Sequence, residues 1–176
     1  MLRRPSRTCL RGRWDTSHSD SLKIMISDEN SENIRIRAVI KLGNDRSRKA
    51  KNMLINTLST LNSFVRDAAV QSLVRIDDVD FLCNNIAHEH RYVRRGIVQA
   101  LGELGGTKAC KTLVKALKDQ EWGVRMYAAE SLGKVGDKNH LVAIQDLVGD
   151  EHIWASQVAE SSLKKLSDNS SGKSYH

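Results

Sequence analysis

The chain of 176 residues is 40% hydrophobic and 28% charged, with 5% aromatic residues, one Pro, 11 Gly and a net charge of +7. That length holds one domain or one short repeat array. The apolar content excludes wholesale disorder, and no apolar run approaches the roughly 18 residues of a membrane helix. Scarce Pro and aromatic residues argue against a β-sandwich or barrel, and abundant Leu, Ala, Val, Lys and Arg favour helices.

Residues 1–20 hold five Arg against two acids and no periodic apolar pattern. Pro5 and Gly12 interrupt any amphipathic helix, and no apolar run follows the Arg3-Arg4 pair as a secretory or twin-Arg signal requires. This segment reads as a disordered basic arm, with an organelle presequence as the alternative. Residues 21–51 add eight cations against four acids, whereas residues 52–166 hold fourteen of each sign. The positive charge therefore belongs to the first third of the chain. Residues 167–176 are polar and Ser-rich, and read as a disordered tail.

Self-comparison of residues 21–166 reveals a repeat. Four segments begin with a β-branched residue and Arg: Ile34-Arg35, Val65-Arg66, Val93-Arg94 and Val124-Arg125. Four residues after each β-branched position come Ala38, Ala69, Ile97 and Ala128, and four further come Leu42, Leu73, Leu101 and Leu132. A fifth, degenerate copy reads Ala155, Ala159, Leu163, Leu166. Apolar residues at this spacing form one helical stripe. A second apolar helix precedes each stripe, marked by Leu22/Ile26, Leu54/Leu58, Leu82/Ile86, Leu113/Leu117 and Ile144/Val148. Successive stripe Leu residues lie 31, 28, 31 and 31 apart, so three residues are missing around Ile76-Asp77-Asp78-Val79. Gly105-Gly106 and Gly136-Asp137 supply helix stops. One such helix pair cannot bury its stripe alone, so five pairs must stack into an all-α solenoid.

Residues 119–136, DQEWGVRMYAAESLGKVG, resemble the HEAT-like repeat of phycobilisome lyases, and residues 91–105 and 28–43 resemble it nearly as well. The copies at 64–76 and 155–166 depart from the pattern, both lacking Leu-Gly. The resemblance implies an ARM/HEAT-type right-handed superhelix. It also implies that the repeated Arg35, Arg66, Arg94 and Arg125 form a structural ladder, pairing with an Asp at first-helix ends and with neighbouring repeats. Asp28 and Asp119 hold that Asp place, and His88 occupies it in the third copy. An anion-binding row is the alternative for these Arg residues. Trp in the turn, here Trp122, is expected to pack on the next repeat, as is Tyr92; Trp154 is read as covering the end of the core.

Positions two, six and ten after the β-branched residue vary while the stripe stays fixed. They place Ile36 and Ile40, then Asp67, Gln71 and Arg75, then Arg95, Gln99 and Glu103, then Met126, Glu130 and Lys134, then Gln157, Ser161 and Lys165 on one face of each second helix. In solenoids of the resembled kind the second helices line the concave side. A partner-binding surface is therefore expected there, with Glu130–Lys134 as a local pair.

No catalytic set emerges. Cys83 and Cys110 fall on first helices, Cys110 as a core thiol, and three unspaced Cys suit a reducing compartment. His88 and His90 do not share a helix face, and the equivalents of His90 in later copies lie too far apart for one ion, so no metal and no cofactor are expected. The iron-binding His-Glu pairs of the HEAT-like deoxyhypusine hydroxylases are replaced by Met126-Tyr127 and Arg95-Gly96. The reading carried forward is a cytoplasmic, non-catalytic scaffold, a monomer or part of a hetero-complex, holding a protein partner. The alternatives are a bilin lyase or lyase subunit, and nucleic-acid binding through residues 1–51, including Arg46, Arg48, Lys49 and Lys51.

Overall fold

A computed structural model of the chain describes residues 26–27 and 30–171, with side chains as far as 168. Nine α-helices lie among them. They are α1 (Glu32–Leu42), α2 (Arg48–Thr57), α3 (Ser63–Ile76), α4 (Val79–Asn84), α5 (Arg91–Leu104), α6 (Gly106–Ala116), α7 (Trp122–Val135), α8 (Leu141–Gln145) and α9 (Ile153–Ser171). No strand occurs among the described residues. The odd-numbered helices are the second members of successive pairs. Each of them packs on the next: α1 on α3, α3 on α5, α5 on α7 and α7 on α9. The result is an α-solenoid. Of the first helix of the first pair only Ile26 is described; the reading of residues 1–20 as an arm lies outside the described residues.

The stripe forms the core. Ala38 and Leu42, Val65, Ala69 and Leu73, Val93, Ile97 and Leu101, Val124, Ala128 and Leu132, then Ala155 and Ala159 are all buried. Leu54, Leu58, Leu82, Leu113 and Ile144 meet them from the first helices. Each fully buried Leu or Ile contributes about 1.5–3 kcal/mol, so stability accrues copy by copy rather than at one centre.

Local sequence sets the helix starts. Ser47, Asn62 and Glu121 accept the backbone N–H of Ala50, Val65 and Val124 at 3.2, 3.0 and 3.1 Å. Such caps satisfy amides that the first turn leaves orphaned. The missing three residues leave α4 only six residues long. To start it so early, Asp77 closes α3 in the left-handed region at φ 56°, and Asp78 caps α4 through the N–H of Phe81 at 2.9 Å. At the same turn one copy on, Gly105 adopts φ 68° and ψ −158°, a region essentially restricted to glycine, and Gly106 is also at positive φ.

Two sequence expectations are corrected. The predicted tail from residue 167 is helical as far as Ser171, because nothing between Leu166 and Gly172 stops the helix; residues 172–176 lie outside the described residues. Trp154 does not cover the end of the core. It is 58% exposed, because the neighbouring Ala155 takes the inward position.

The second helices approach closely at a repeated pair of positions. Gly43, Gly102 and Gly133, nine residues after Ile34, Val93 and Val124, face Ser72, Ser131 and Ser162 of the following helix. Ser72 Oγ donates to the Val39 carbonyl at 3.0 Å, and Ser131 Oγ donates to Val98 at 3.4 Å. Val74 and Ala100 hold the corresponding places between α3 and α5, at the copy that lacks Leu-Gly.

Candidate functional site

The repeated Arg residues build a ladder along the turns. Arg94 donates from Nη1 to the carbonyls of His88 and Glu89, both at 2.9 Å, tying the turn of its own copy. Its Nε and Nη2 grip Asp119 at 2.7 and 2.8 Å. Arg125 repeats the pattern one copy on. It holds the carbonyls of Asp119 and Gln120 at 2.9 and 3.2 Å and both oxygens of Asp150 at 2.6 and 2.8 Å. Each carboxylate therefore belongs to the copy after the Arg, 25 residues downstream. The Asp119 carboxylate serves Arg94, and the Arg125 of its own copy takes only its carbonyl; Asp28 lies outside the described residues.

The other rungs differ. Arg35 donates to the Ile26 carbonyl at 3.1 Å and to Thr60 Oγ1 at 2.8 Å, Thr60 standing where Asp would be. The corresponding place for Arg66 is His88, and Arg66 instead lies 4.6 Å from the Tyr92 ring centre while donating to Thr60 and Leu61 carbonyls. His88 keeps one part of the Asp role: its Nδ1 accepts the N–H of His90 at 3.0 Å, as Asp119 and Asp150 accept those of Glu121 and His152. Trp122 stacks on His152 of the next copy, with ring centres 3.7 Å apart and planes 1° from parallel. These arginines and aromatics are thus engaged within and between repeats.

The second-helix face carries the residues that vary between copies. Asp67, Gln71, Arg75, Glu103 and Lys134 are exposed on it, and Arg95, Gln99, Met126 and Glu130 are half-buried. Links run across and along it. Gln71 Nε2 donates to Glu103 at 2.9 Å, Arg95 lies 4.6 Å from the Tyr127 ring centre, and Lys134 pairs with Glu130 at 2.8 Å. The spacing of two, six and ten misses one further row. Phe64, Tyr92 and Trp154 stand one residue before Val65, Val93 and Ala155. At about 100° per residue, Phe64 lies within roughly 20° of both Gln71 and Arg75. Phe64 is 64% exposed, and Leu61 just before it is 84% exposed.

Other candidate chemistry is mostly occupied. Cys110 is buried, and burial, with the charge of Asp137, pushes its thiol above the ordinary range. Cys83 accepts the Thr112 hydroxyl at 3.1 Å. Among the basic residues of the first third, Arg46, Arg48 and Lys49 are exposed, but Lys51 pairs with Asp78 at 2.6 Å and holds its carboxyl below the usual range.

A family model described as HEAT repeats matches residues 19–82 and 79–164. The chain belongs to the HEAT-repeat family. The phycocyanobilin lyase subunit alpha of Picosynechococcus sp. strain PCC 7002 is 38% identical over 56 residues, which are 32% of this HEAT-repeat chain and 21% of the lyase subunit. The chain therefore matches about a fifth of that relative's length. In fold it is similar to the complex of CpcE and CpcF of phycocyanin lyase from Nostoc sp. PCC7120, with a TM-score of 0.53 and 21% identity over 84% of this chain and 65% of that one. It is also similar to the Pds5–Scc1 complex, with a TM-score of 0.58 and 15% identity over 90% of this chain and 30% of that one. No described helix is long and apolar enough to cross a membrane.

Proposed function

We propose that this HEAT-repeat chain is a non-catalytic cytoplasmic scaffold that holds a protein partner on its second-helix face. One observation carries the reading: the ladder arginines are engaged inside the solenoid, whereas the residues that vary between copies line a continuous polar surface. Solenoids of stacked helix pairs bind through such extended surfaces. The Nostoc and cohesin structures are both complexes with protein partners, which supports a protein partner here. The free thiols of Cys83 and Cys110 suit a reducing compartment. Affinity purification from the native host supplies the partner. Arg95→Glu, Glu130→Lys and Lys134→Glu should each then weaken its capture, by about tenfold for a central residue, with helicity unchanged. A partner indifferent to all three substitutions would remove this surface assignment.

A lyase-subunit role is the second reading, favoured by the local identity to the Picosynechococcus subunit. Co-expression with bilin synthesis separates the two. A scaffold stays colourless and transfers no chromophore, whereas visible absorbance on the purified chain would favour the lyase role.

A further inference from the structure

The junctions along the array are not alike. Between the third and fourth copies the Arg94 fork grips Asp119, and between the fourth and fifth the Arg125 fork grips Asp150. At both junctions a Ser sits against a Gly of the preceding second helix, Ser131 against Gly102 and Ser162 against Gly133. Trp122 stacks on His152 across the last of them. The first two copies are tied to each other by three hydrogen bonds. Arg35 donates to Thr60 at 2.8 Å, Asn62 to Glu32 at 2.7 Å, and Ser72 to the Val39 carbonyl at 3.0 Å.

The junction between the second and third copies has neither the fork nor the Gly–Ser contact. Arg66 is posed like its counterparts. Its Nη1 holds the carbonyls six and five residues before it, Thr60 and Leu61, as Nη1 of Arg94 and of Arg125 does in later copies. His88 stands where the carboxylate would be, five residues before Val93, and the Arg66 guanidinium lies on Tyr92 instead. Val74 and Ala100 replace Gly and Ser, and α4 is cut to six residues. Four further links cross this junction. Lys51 pairs with Asp78 at 2.6 Å and lies 5.1 Å from the Phe81 ring centre; Gln71 joins Glu103 between exposed side chains. Leu58 packs on Gly96, where a Cβ would come within 2.7 Å of Leu58 Cδ2. Solvated polar links add little, so the Leu58 contact is the main tie.

In such an array each copy touches only its neighbours, and stability passes along it through the junctions. We propose that the junction around Asp77 and Asp78 is a breakpoint built into the solenoid. Copies one and two (residues 32–76) open there as one unit, while copies three to five (residues 79–168) stay folded. Opening re-angles α1 and α3 against α5, α7 and α9, so the second-helix face changes shape without loss of the array. The inference stands on the junctions alone, whatever that face binds.

Amide hydrogen exchange of the full chain, read by mass spectrometry under native conditions, tests this. The amides of α1 and α3 should share one protection level, below that of α5 and α7. Asp150→Asn breaks the last rung and should lower protection of α5 and α7 about a hundredfold, leaving α1 and α3 unchanged, because their opening does not involve that rung. His88→Asp keeps an acceptor for the His90 N–H and gives Arg66 its missing carboxylate. It should raise protection of α1 and α3 together by about tenfold, and it reads the breakpoint without weakening the C-terminal copies. Protection of α3 equal to that of α5, an equal fall in α1, α3 and α7 with Asp150→Asn, or no gain with His88→Asp would each overturn the proposal.

Discussion

Arg125→Ala should lower the free energy of unfolding by about 3 kcal/mol, twice or more the loss from Arg66→Ala. The two arginines hold the same repeat position but have different partners. Arg125 and Asp150 are 10% and 7% exposed and share two hydrogen bonds of 2.6 and 2.8 Å. Truncating Arg125 leaves the Asp150 charge nearly buried and frees two turn carbonyls, costs that exceed those of a surface ion pair. Arg66 faces the Tyr92 ring in place of a carboxylate, an interaction worth about 0.5–1 kcal/mol, and strands no buried charge when removed. Arg125→Lys should recover less than half of the loss, since an ammonium cannot fork to both oxygens of Asp150 and reach the carbonyls as well. Urea unfolding followed by circular dichroism checks the series, and equal losses at Arg66 and Arg125 would refute the ranking.

Asp150 supplies the pH signature of the same rung. Its hydrogen bond from Arg125 lowers its carboxyl below the ordinary 3.8; burial opposes this, and the His152 backbone N–H reinforces it. A carboxyl lowered on folding adds stability above its unfolded value and loses that contribution as pH falls through its folded value. The stability gap between the native chain and Asp150→Asn should therefore be full at neutral pH, and should narrow only below about pH 4.

Much of this molecule is legible locally. The stripe from Ala38 to Leu166 follows from helical spacing within single copies, and the missing residues around Asp77 predict the shortened α4. The ladder was only half legible. Arg94 and Arg125 announce themselves by repetition, but their carboxylates belong to the next copy and depend on how copies stack. Asp150 was hidden in addition because the fifth copy lacks Val-Arg. On the face, positions two, six and ten cover Asp67 to Lys134 and leave out the place one helical turn earlier. Phe64 lies outside those positions, although its spacing of seven and eleven from Gln71 and Arg75 places it on their line. Leu61 precedes the helix, so no periodicity could assign it.

The Leu-Gly signature also has a cause that only packing reveals, and it yields a prediction of unusual sign. Gly102→Ala should destabilise the chain, although Ala is the better helix former by about 1 kcal/mol. A Cβ on Gly102 would lie 2.1 Å from Ser131 Oγ and 2.5 Å from Ser131 Cβ. Turning the hydroxyl away relieves the first contact but not the second, because Cβ is fixed by the backbone of α7. The helices must then part, and overpacking of this kind costs about 1–3 kcal/mol. A net loss of about 1–2 kcal/mol is expected. Ser131→Gly removes both clashing atoms, at the cost of the 3.4 Å hydrogen bond to the Val98 carbonyl and some helix propensity. On that background Gly102→Ala should become neutral or stabilising, giving a coupling of about 2 kcal/mol in a double-mutant cycle. Additive effects would mean that α5 and α7 tolerate a side chain here, as α3 does with Val74. The glycine would then answer to something other than the closeness of the second helices.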